Sequence, residues 1–162
     1  MKHSKKIVVL GHFGVGKSSL VRQFVENVFT EDYKVTIGVH VLKKDIKIDE
    51  KNDVTLVLWD LEGIDNIENI RTSYLLGTHA FIYVFDLTRP STYQNLENEI
   101  NYISKNHAKT PCKIVANKRD LVTKKALEAE ALFSKHEMIY TSAKTGENVN
   151  ELFTDLAKTL IK

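Results

Sequence analysis

The sequence is poor in the residue types that mark the more specialised classes of protein. Its 162 residues include one cysteine, two prolines and seven glycines. The single cysteine, Cys112, excludes a framework of intramolecular disulfides, and so few glycines and prolines exclude a collagen-like or low-complexity chain. A chain of this length buries roughly 70% of its unfolded surface, so its core needs neither disulfides nor a structural metal. We therefore expect one compact domain over residues 1–162.

An excess of charge and a long apolar run are also missing. There are 23 basic and 21 acidic residues, giving a net charge of +2, which predicts no broad nucleic-acid or membrane-binding surface. No run of 18 apolar residues occurs, and the amino terminus leads into a strand-like segment instead of a signal-peptide core. We therefore expect a cytoplasmic protein. Because residue 2 is Lys2 and no cysteine stands near Lys162, we expect no direct lipid anchor.

The apolar residues that are present form short runs separated by helix-like segments. Runs without alternation, typical of parallel strands covered on both faces, occur at 7–10, 80–85, 113–116 and 138–141. Residues 42–48 alternate with charged residues and are followed by the run 54–59, which predicts a hairpin.

Between these runs the apolar spacing changes to three and four residues. Helical stripes are formed by Leu20, Val21, Phe24, Val25 and Val28, by Tyr93, Leu96, Ile100 and Ile103, and by Val149, Leu152, Phe153, Leu156 and Leu160. Ser91 and Asn148 are predicted to start the second and third helices. Alternating strands and helices predict a doubly wound α/β sheet, whose ligand lies beyond the carboxyl ends of the strands.

The first strand is followed at once by Gly-His-Phe-Gly-Val-Gly-Lys-Ser at residues 11–18, which matches the phosphate-loop pattern G-x-x-x-x-G-K-[ST]. The backbone amides from Gly14 to Ser19 are predicted to bind a diphosphate at the start of a helix. Lys17 then offsets the charge of the outer phosphates, and the Ser18 hydroxyl binds Mg²⁺. The alternative is a glycine-rich turn that binds nothing.

A second candidate phosphate element follows the strand that ends at Asp60. Its sequence is Asp-Leu-Glu-Gly at residues 60–63. A carboxylate at Asp60 can hold a water bound to Mg²⁺, and the amide of Gly63 can bind a γ-phosphate. Alone, this four-residue pattern is weak evidence for a phosphate-binding element. Its position directly after a strand strengthens that interpretation.

Polar motifs after the last two strands indicate a base-binding site. They are Asn117-Lys118-Arg119-Asp120 and Ser142-Ala143-Lys144. The Asp120 carboxylate can accept two hydrogen bonds from guanine, whereas adenine would leave it unpaired. Lys118 and Lys144 are predicted to lie along the base plane, and the Ala143 amide to donate to the guanine oxygen.

With these motifs in this order, the chain resembles the Ras-like small GTPases, particularly the Rab-type members, over essentially its whole length. The resemblance implies that Phe29 packs against guanine, that Tyr33 closes over the phosphates, and that Thr36 in Thr-Ile-Gly binds both Mg²⁺ and the γ-phosphate. It also implies two nucleotide-sensitive segments that contact effector, activating and exchange proteins: switch I (Phe29–Gly38) and switch II (Gly63–Leu76). A monomer is expected.

The resemblance further implies a fold and a set of site residues. The fold is that of the P-loop NTPases, with a mostly parallel sheet of six strands, one antiparallel edge strand and about five helices, as one small-GTPase domain. Catalytic roles fall to Lys17, Thr36 and Gly63, and Mg²⁺ is held by Ser18, Thr36 and Asp60. The expected nucleotide-binding residues are Gly14, Val15, Gly16, Lys17, Ser18, Ser19, Phe29, Tyr33, Thr36, Gly63, Asn117, Lys118, Asp120, Ser142, Ala143 and Lys144.

Two positions depart from the family pattern. Ile64 stands where the family commonly has a glutamine that orients the attacking water, and isoleucine has neither donor nor acceptor. Phe13 occupies a position that is usually small, and His12 beside it is either catalytic or, on the plainer interpretation that we prefer, merely exposed. We therefore predict a GTPase with slow turnover that a partner accelerates. The alternatives are a nucleotide-dependent scaffold that does not hydrolyse GTP, a nucleotide-free interaction module, and a P-loop kinase or ATPase.

Overall fold

The computed structural model describes residues 1–32 and 34–162, and these form a six-stranded sheet in the order β2-β3-β1-β4-β5-β6. The strands are β1 (Lys2–Leu10), β2 (Val39–Lys47), β3 (Asp53–Leu61), β4 (Ala80–Asp86), β5 (Cys112–Asn117) and β6 (Met138–Tyr140). The edge strand β2 runs antiparallel to β3, and the other pairings are parallel. The predicted doubly wound α/β fold with one antiparallel edge strand is confirmed.

Six α-helices occur in the part of the chain that the structure describes, against the expected number of about five. They are α1 (Lys17–Glu26), α2 (Thr72–Leu75), α3 (Leu96–Asn106), α4 (Lys124–Ala129), α5 (Ala131–Lys135) and α6 (Val149–Leu160). Glu130 divides α4 from α5, because its backbone is extended and its side chain accepts a hydrogen bond from the Leu132 amide. The division therefore lies at a helix cap and leaves the fold class unchanged.

The sheet is covered on both faces, so that every residue of β4 is buried. One apolar cluster lies under α1 and α6, where the rings of Phe24 and Phe153 stack with their centroids 4.3 Å apart. The other includes Leu96 and Ile103 of α3. Burial on both faces explains why the central strands show continuous apolar runs instead of alternation.

Two of the predicted helix boundaries are wrong and one is confirmed. Helix α1 ends at Glu26, because Asn27 adopts a left-handed conformation, and this leaves Val28 exposed outside the helix. Ser91 lies in a 3₁₀ turn (Pro90–Thr92), and α3 begins only at Leu96. Asn148 does precede α6, although its side chain donates to the Tyr140 carbonyl instead of capping the helix.

Candidate functional site

A cavity of about 450 Å³ opens at the carboxyl ends of the parallel strands. Its walls come from the phosphate loop, from the segment before β2, and from the turns that follow β3, β5 and β6. The predicted site residues that line it are Gly14, Gly16, Lys17, Ser18, Ser19, Phe29, Thr36, Gly63, Asn117, Lys118, Asp120, Ala143 and Lys144. Chain folding thus brings together motifs that are separated by more than a hundred positions.

Other predicted residues stand behind this lining. Val15 is fully buried, and its carbonyl accepts a hydrogen bond from the side chain of Asn117. Ser142 is also fully buried, and its hydroxyl donates to the carboxylate of Asp120 at 2.8 Å. Both residues support the cavity wall from within. Tyr33 lies outside the described residues.

The turn of the phosphate loop depends on glycine at residue 16. Gly16 has φ of +97°, in the left-handed region that other residues rarely adopt. A Cβ atom there would lie 2.3 Å from the side-chain nitrogen of Asn117, far inside contact distance. The loop can therefore approach the end of β5 only because this position carries no side chain.

Lys17 is buried at the base of the cavity, with 6% of its surface exposed. Its ammonium donates to the carbonyls of Gly11 at 3.1 Å and His12 at 2.8 Å, which ties the ends of the loop together. Burial lowers the pKa of Lys17 to about 8, and the nearby Asp60 carboxylate opposes this shift. The group is still mostly charged at neutral pH and can neutralise an anion in the cavity.

Three oxygen-bearing side chains meet beside Lys17. The Ser18 hydroxyl donates to Asp60 Oδ2 and lies 2.7 Å from the hydroxyl of Thr36. Burial raises the pKa of Asp60, while the hydrogen bond from Ser18 lowers it. The other carboxylate oxygen, Oδ1, is buried and has no hydrogen-bond partner among the described residues, which is costly in a folded protein.

This donor set fits a hard divalent cation. Within residues 1–32 and 34–162, no group of three or more histidine, cysteine, aspartate or glutamate side chains is arranged to hold a metal ion. The set around Asp60 instead combines one carboxylate with the hydroxyls of Ser18 and Thr36, oxygen ligands of the kind that Mg²⁺ prefers. The partnerless Oδ1 of Asp60 is the atom that such an ion or its bound water would satisfy.

At the opposite end of the cavity, hydrogen bonds join the turns after β5 and β6. The side-chain oxygen of Asn117 accepts from the Thr141 hydroxyl at 3.1 Å and from the Ala143 amide at 3.3 Å. Together with the bond from Ser142 to Asp120, these contacts fix the Asp120 carboxylate in the cavity wall. The wall therefore carries an acceptor suited to the donor edge of guanine.

Lys118 links this end of the cavity to the phosphate loop. Its ammonium donates to the Gly14 carbonyl at 3.0 Å and lies 2.8 Å from a carboxylate oxygen of Asp86, which is fully buried at the end of β4. A buried carboxylate is tolerated when it is paired in this way. The long side chain of Lys118 is thereby stretched along the cavity wall.

The cavity lining also includes residues that the sequence did not predict, several of them in switch I. Cavity-lining residues outside the predicted set include Arg22, Thr30, Glu31, Asp32, Lys34, Val35, His40, Leu61 and Leu121. A carboxylate oxygen of Glu31 lies 3.3 Å from the ammonium of Lys144, a predicted site residue, across the mouth of the cavity. Arg22 could have been predicted from its spacing, because it follows Ser18 by four residues on α1 and therefore lies on the same face of the helix.

The residue after Gly63 faces away from the cavity. Ile64 packs against the apolar cluster on the α3 side of the sheet, and its amide lies 3.3 Å from the Gly11 carbonyl. A Cβ atom on Gly63 would lie 2.6 Å from the backbone nitrogen of Phe13, so this position also requires glycine. Ile64 is therefore a packing residue, and Gly63 is packed directly against the backbone of the phosphate loop.

The preferred interpretation of His12 as merely exposed is wrong. Only 16% of its side chain is accessible, and the ring lies between the carboxylates of Glu99 and Asp65. The sequence around His12 gives no indication of these two partners, because they belong to other elements of the fold.

No helix within the described residues is long and apolar enough to cross a membrane.

A protein-family model described as the Ras family matches residues 6–162. Ras-related protein Rab-1 of Theileria annulata is 36% identical over 162 residues, covering 96% of this chain and 73% of the relative. GTP-binding protein ypt5 of Schizosaccharomyces pombe is 37% identical over 167 residues, covering 97% of this chain and 78% of the relative.

The comparisons and the architecture point to the same conclusion. The family match extends over nearly all of the sheet, and the sheet places the phosphate-loop, Asp60 and Asp120 motifs around one cavity or directly behind its wall. The chain belongs to the Ras family of small GTP-binding proteins and is similar to its Rab-type members.

Proposed function

We propose that this protein is a guanine-nucleotide switch that binds GTP or GDP with Mg²⁺ and hydrolyses GTP slowly. The observation that carries the proposal is a single cavity of about 450 Å³ with a buried ammonium, Lys17, at one end and a fixed carboxylate, Asp120, at the other. The first suits a polyphosphate and the second suits the donor edge of guanine. No other common nucleotide base presents two adjacent donors in that way.

At the phosphate end, the chain would act by binding and orienting the nucleotide. The amides of Gly14 to Ser19 and the ammonium of Lys17 hold the phosphate oxygens, and the amide of Gly63 meets the γ-phosphate. A bound Mg²⁺, held by Ser18 and Thr36 directly and by Asp60 through water, would offset charge on the phosphate oxygens. Water then attacks the γ-phosphate in line with the leaving oxygen.

Slow turnover is expected because Ile64 has no group that can orient this water. Its side chain is packed with the apolar cluster instead of facing the cavity. Full activation in this class of enzyme is worth about 10⁵ in rate, or roughly 7 kcal/mol, and the water-orienting residue supplies part of it. We expect intrinsic turnover at or below about 10⁻⁴ s⁻¹, raised by a partner that supplies the missing group.

Partner binding is proposed for switch I (Phe29–Gly38) and switch II (Gly63–Leu76). Both contain exposed apolar side chains: Ile37 is 82% exposed, and Val35 and Leu76 are exposed as well. Exposed apolar side chains gathered in two neighbouring segments are typical of an interaction surface. Effectors, exchange proteins and activating proteins are the expected partners, and the protein itself is expected to be a cytoplasmic monomer.

The decisive experiment identifies the nucleotide that copurifies with the protein and follows its hydrolysis in a single turnover. We expect guanine nucleotide, its displacement by GTP but not ATP, and a half-time of hours without a partner. Failure to take up GDP or GTP in the presence of Mg²⁺ would refute the proposal. Displacement by ATP would favour a P-loop kinase or ATPase.

The second candidate is a scaffold that binds GTP or GDP but does not hydrolyse it. The inward packing of Ile64 favours this candidate, whereas the intact Lys17, Thr36 and Gly63 oppose it. The same single-turnover experiment distinguishes the two candidates. A scaffold leaves its bound GTP intact both alone and after cell-lysate fractions are added, whereas a slow GTPase does not.

A further inference from the structure

The phosphate loop carries a histidine whose ring joins two other elements of the fold. His12 Nε2 lies 3.2 Å from Glu99 Oε1 on α3, and His12 Nδ1 lies 3.7 Å from Asp65 Oδ1, two residues after Gly63. Glu99 is buried, whereas the Asp65 side chain is 91% exposed. The ring thus stands between one carboxylate fixed in the core and one on switch II.

The charged and titratable groups around this ring come from five parts of the chain. On β4, the buried hydroxyl of Tyr83 donates to Glu99 Oε2 and so holds that carboxylate in place. In the loop itself, Lys17 donates to the backbone carbonyl of His12 at 2.8 Å. After β4, Arg89 donates to the neighbouring Phe13 carbonyl at 2.9 Å. With Glu99 on α3 and Asp65 on switch II, both side chains that face the imidazole are acidic.

Two acidic neighbours constrain the protonation state of the imidazole. A neutral ring carries one N–H and can donate to only one carboxylate, whereas the imidazolium donates from both nitrogens. The hydrogen bond to Glu99, followed by the charges of Glu99 and Asp65, raises the pKa of His12 in spite of partial burial. Bridging Glu99 to Asp65 therefore requires the charged ring.

The bridge holds a segment that is already close to the phosphate loop. The amide of Ile64 lies 3.3 Å from the Gly11 carbonyl, and the backbone at Gly63 is packed against Phe13. The Ile64 side chain reaches a small void that is also lined by Tyr83 and Glu99. The segment 63–65 thus rests on the loop through backbone and apolar contacts, and the His12–Asp65 pair adds its electrostatic contact.

We propose that His12 is a positioning residue that, as an imidazolium, ties segment 63–65 to the phosphate loop and α3 and so places the Gly63 amide for GTP hydrolysis. The part that concerns hydrolysis rests on the proposed function. Protonation of a loop side chain outside the nucleotide cavity then sets how firmly switch II is held, and hydrolysis becomes faster when the ring is charged.

The test compares His12→Gln and Asp65→Asn with the matched control Glu62→Gln. Glu62 is exposed on the same segment, so its replacement removes a nearby negative charge without touching the bridge. Hydrogen exchange of peptides covering 63–65 is measured for each protein at about pH 6 and about pH 8. Single-turnover GTP hydrolysis is measured at the same two pH values.

At the lower pH we expect His12→Gln and Asp65→Asn each to raise exchange and to slow hydrolysis about two- to fivefold, the range for an exposed ion pair. The double variant is expected to match the single ones. At the higher pH the differences shrink as the ring loses its proton, so the ratio of the wild-type hydrolysis rate to that of His12→Gln falls with rising pH. Glu62→Gln is expected to behave as the wild type.

Equal exchange in wild type and Asp65→Asn at the lower pH overturns the inference, and so does a ratio of wild-type to His12→Gln hydrolysis rates that is the same at both pH values. Effects of His12→Gln that simply add to those of Asp65→Asn also contradict a shared bridge. A protein that binds no nucleotide refutes the proposed function instead. In that case the exchange comparison still decides whether His12 holds the segment.

Discussion

The side-chain amide of Asn117 donates a hydrogen bond to the carbonyl of Val15 at 3.0 Å, joining positions 102 residues apart. The same side chain accepts from Thr141 and from the amide of Ala143. One amide group therefore connects the phosphate loop, the end of β5 and the turn after β6. These hydrogen bonds therefore hold the two ends of the proposed nucleotide cavity in a fixed relative position.

Replacing Asn117 with Ala should lower both stability and GDP affinity. It would leave the buried carbonyl of Val15 unpaired, at a cost of about 1–3 kcal/mol in the free energy of unfolding. Thermal unfolding and titration with a fluorescent GDP check this. Asn106→Ala is the control, because Asn106 makes an exposed hydrogen bond of similar length to Tyr102 within α3. Equal effects of the two substitutions would contradict the role of Asn117.

Replacing Lys17 with Ala should weaken GDP binding strongly, since the substitution removes the buried ammonium at the base of the cavity. A hydrogen bond to a charged group contributes about 1.5–3 kcal/mol, so each lost phosphate contact should cost about ten- to a hundredfold in affinity. Because the pKa of Lys17 is about 8, GDP binding to the wild type should also weaken above that pH. Isothermal titration at several pH values tests both points, with exposed Lys124→Ala as the control. Unchanged GDP affinity in Lys17→Ala would contradict the assignment.

Replacing Asp120 with Asn should reduce the preference for guanine. An amide cannot accept both guanine donors, so the affinity ratio of GTP to ITP should move towards one, by about tenfold or more. Competition binding against a fluorescent nucleotide measures the ratio. Asp155→Asn, an exposed change on α6, should leave the ratio as it is. An unaltered ratio in Asp120→Asn would remove the support for base recognition by this carboxylate.

Replacing Lys6 with Met should loosen the end of switch II. The Lys6 ammonium donates to the carbonyls of Tyr74 and Leu76 at 2.6 and 2.7 Å, and lies 3.8 Å from the centre of the Trp59 ring. Loss of these contacts should cost about 1 kcal/mol of stability and raise hydrogen exchange in the segment 74–76. The control is Lys43→Met, an exposed change on β2. Unaltered exchange at 74–76 would show that Lys6 does not hold the segment.

Cys112 should be inert in the folded protein. Burial raises the pKa of its thiol to about 12, so almost no thiolate forms at neutral pH. We expect a thiol reagent to react slowly with the native protein and rapidly after unfolding. Fast reaction in the native state would show that the strand end at Cys112 opens readily.

Local patterns account for the parts of the fold and site that the sequence predicted. Continuous apolar runs marked β4 and β5 because both faces of these strands are buried. The phosphate loop could be predicted because its structural requirements are local. They are a turn that needs glycine at residue 16 and a helix that begins at Lys17. The placement of Asp60 and Asp120 followed from their positions near the carboxyl ends of β3 and β5.

The features that the sequence did not predict depend on contacts between distant segments. The position of His12 between Glu99 and Asp65 arises only once α3 lies beside the phosphate loop. The pairing of Glu31 with Lys144 likewise joins switch I to the turn after β6. Spacing along one segment carries no information about such partners.

Trp59 is the single tryptophan of the chain, and its ring centre lies 6.3 Å from that of Tyr74 in switch II. An indole in this position has an emission that responds to the polarity and packing around it. Movement of the neighbouring tyrosine away from it therefore produces an optical signal without any attached dye. The protein therefore carries a built-in optical reporter of the packing around Tyr74.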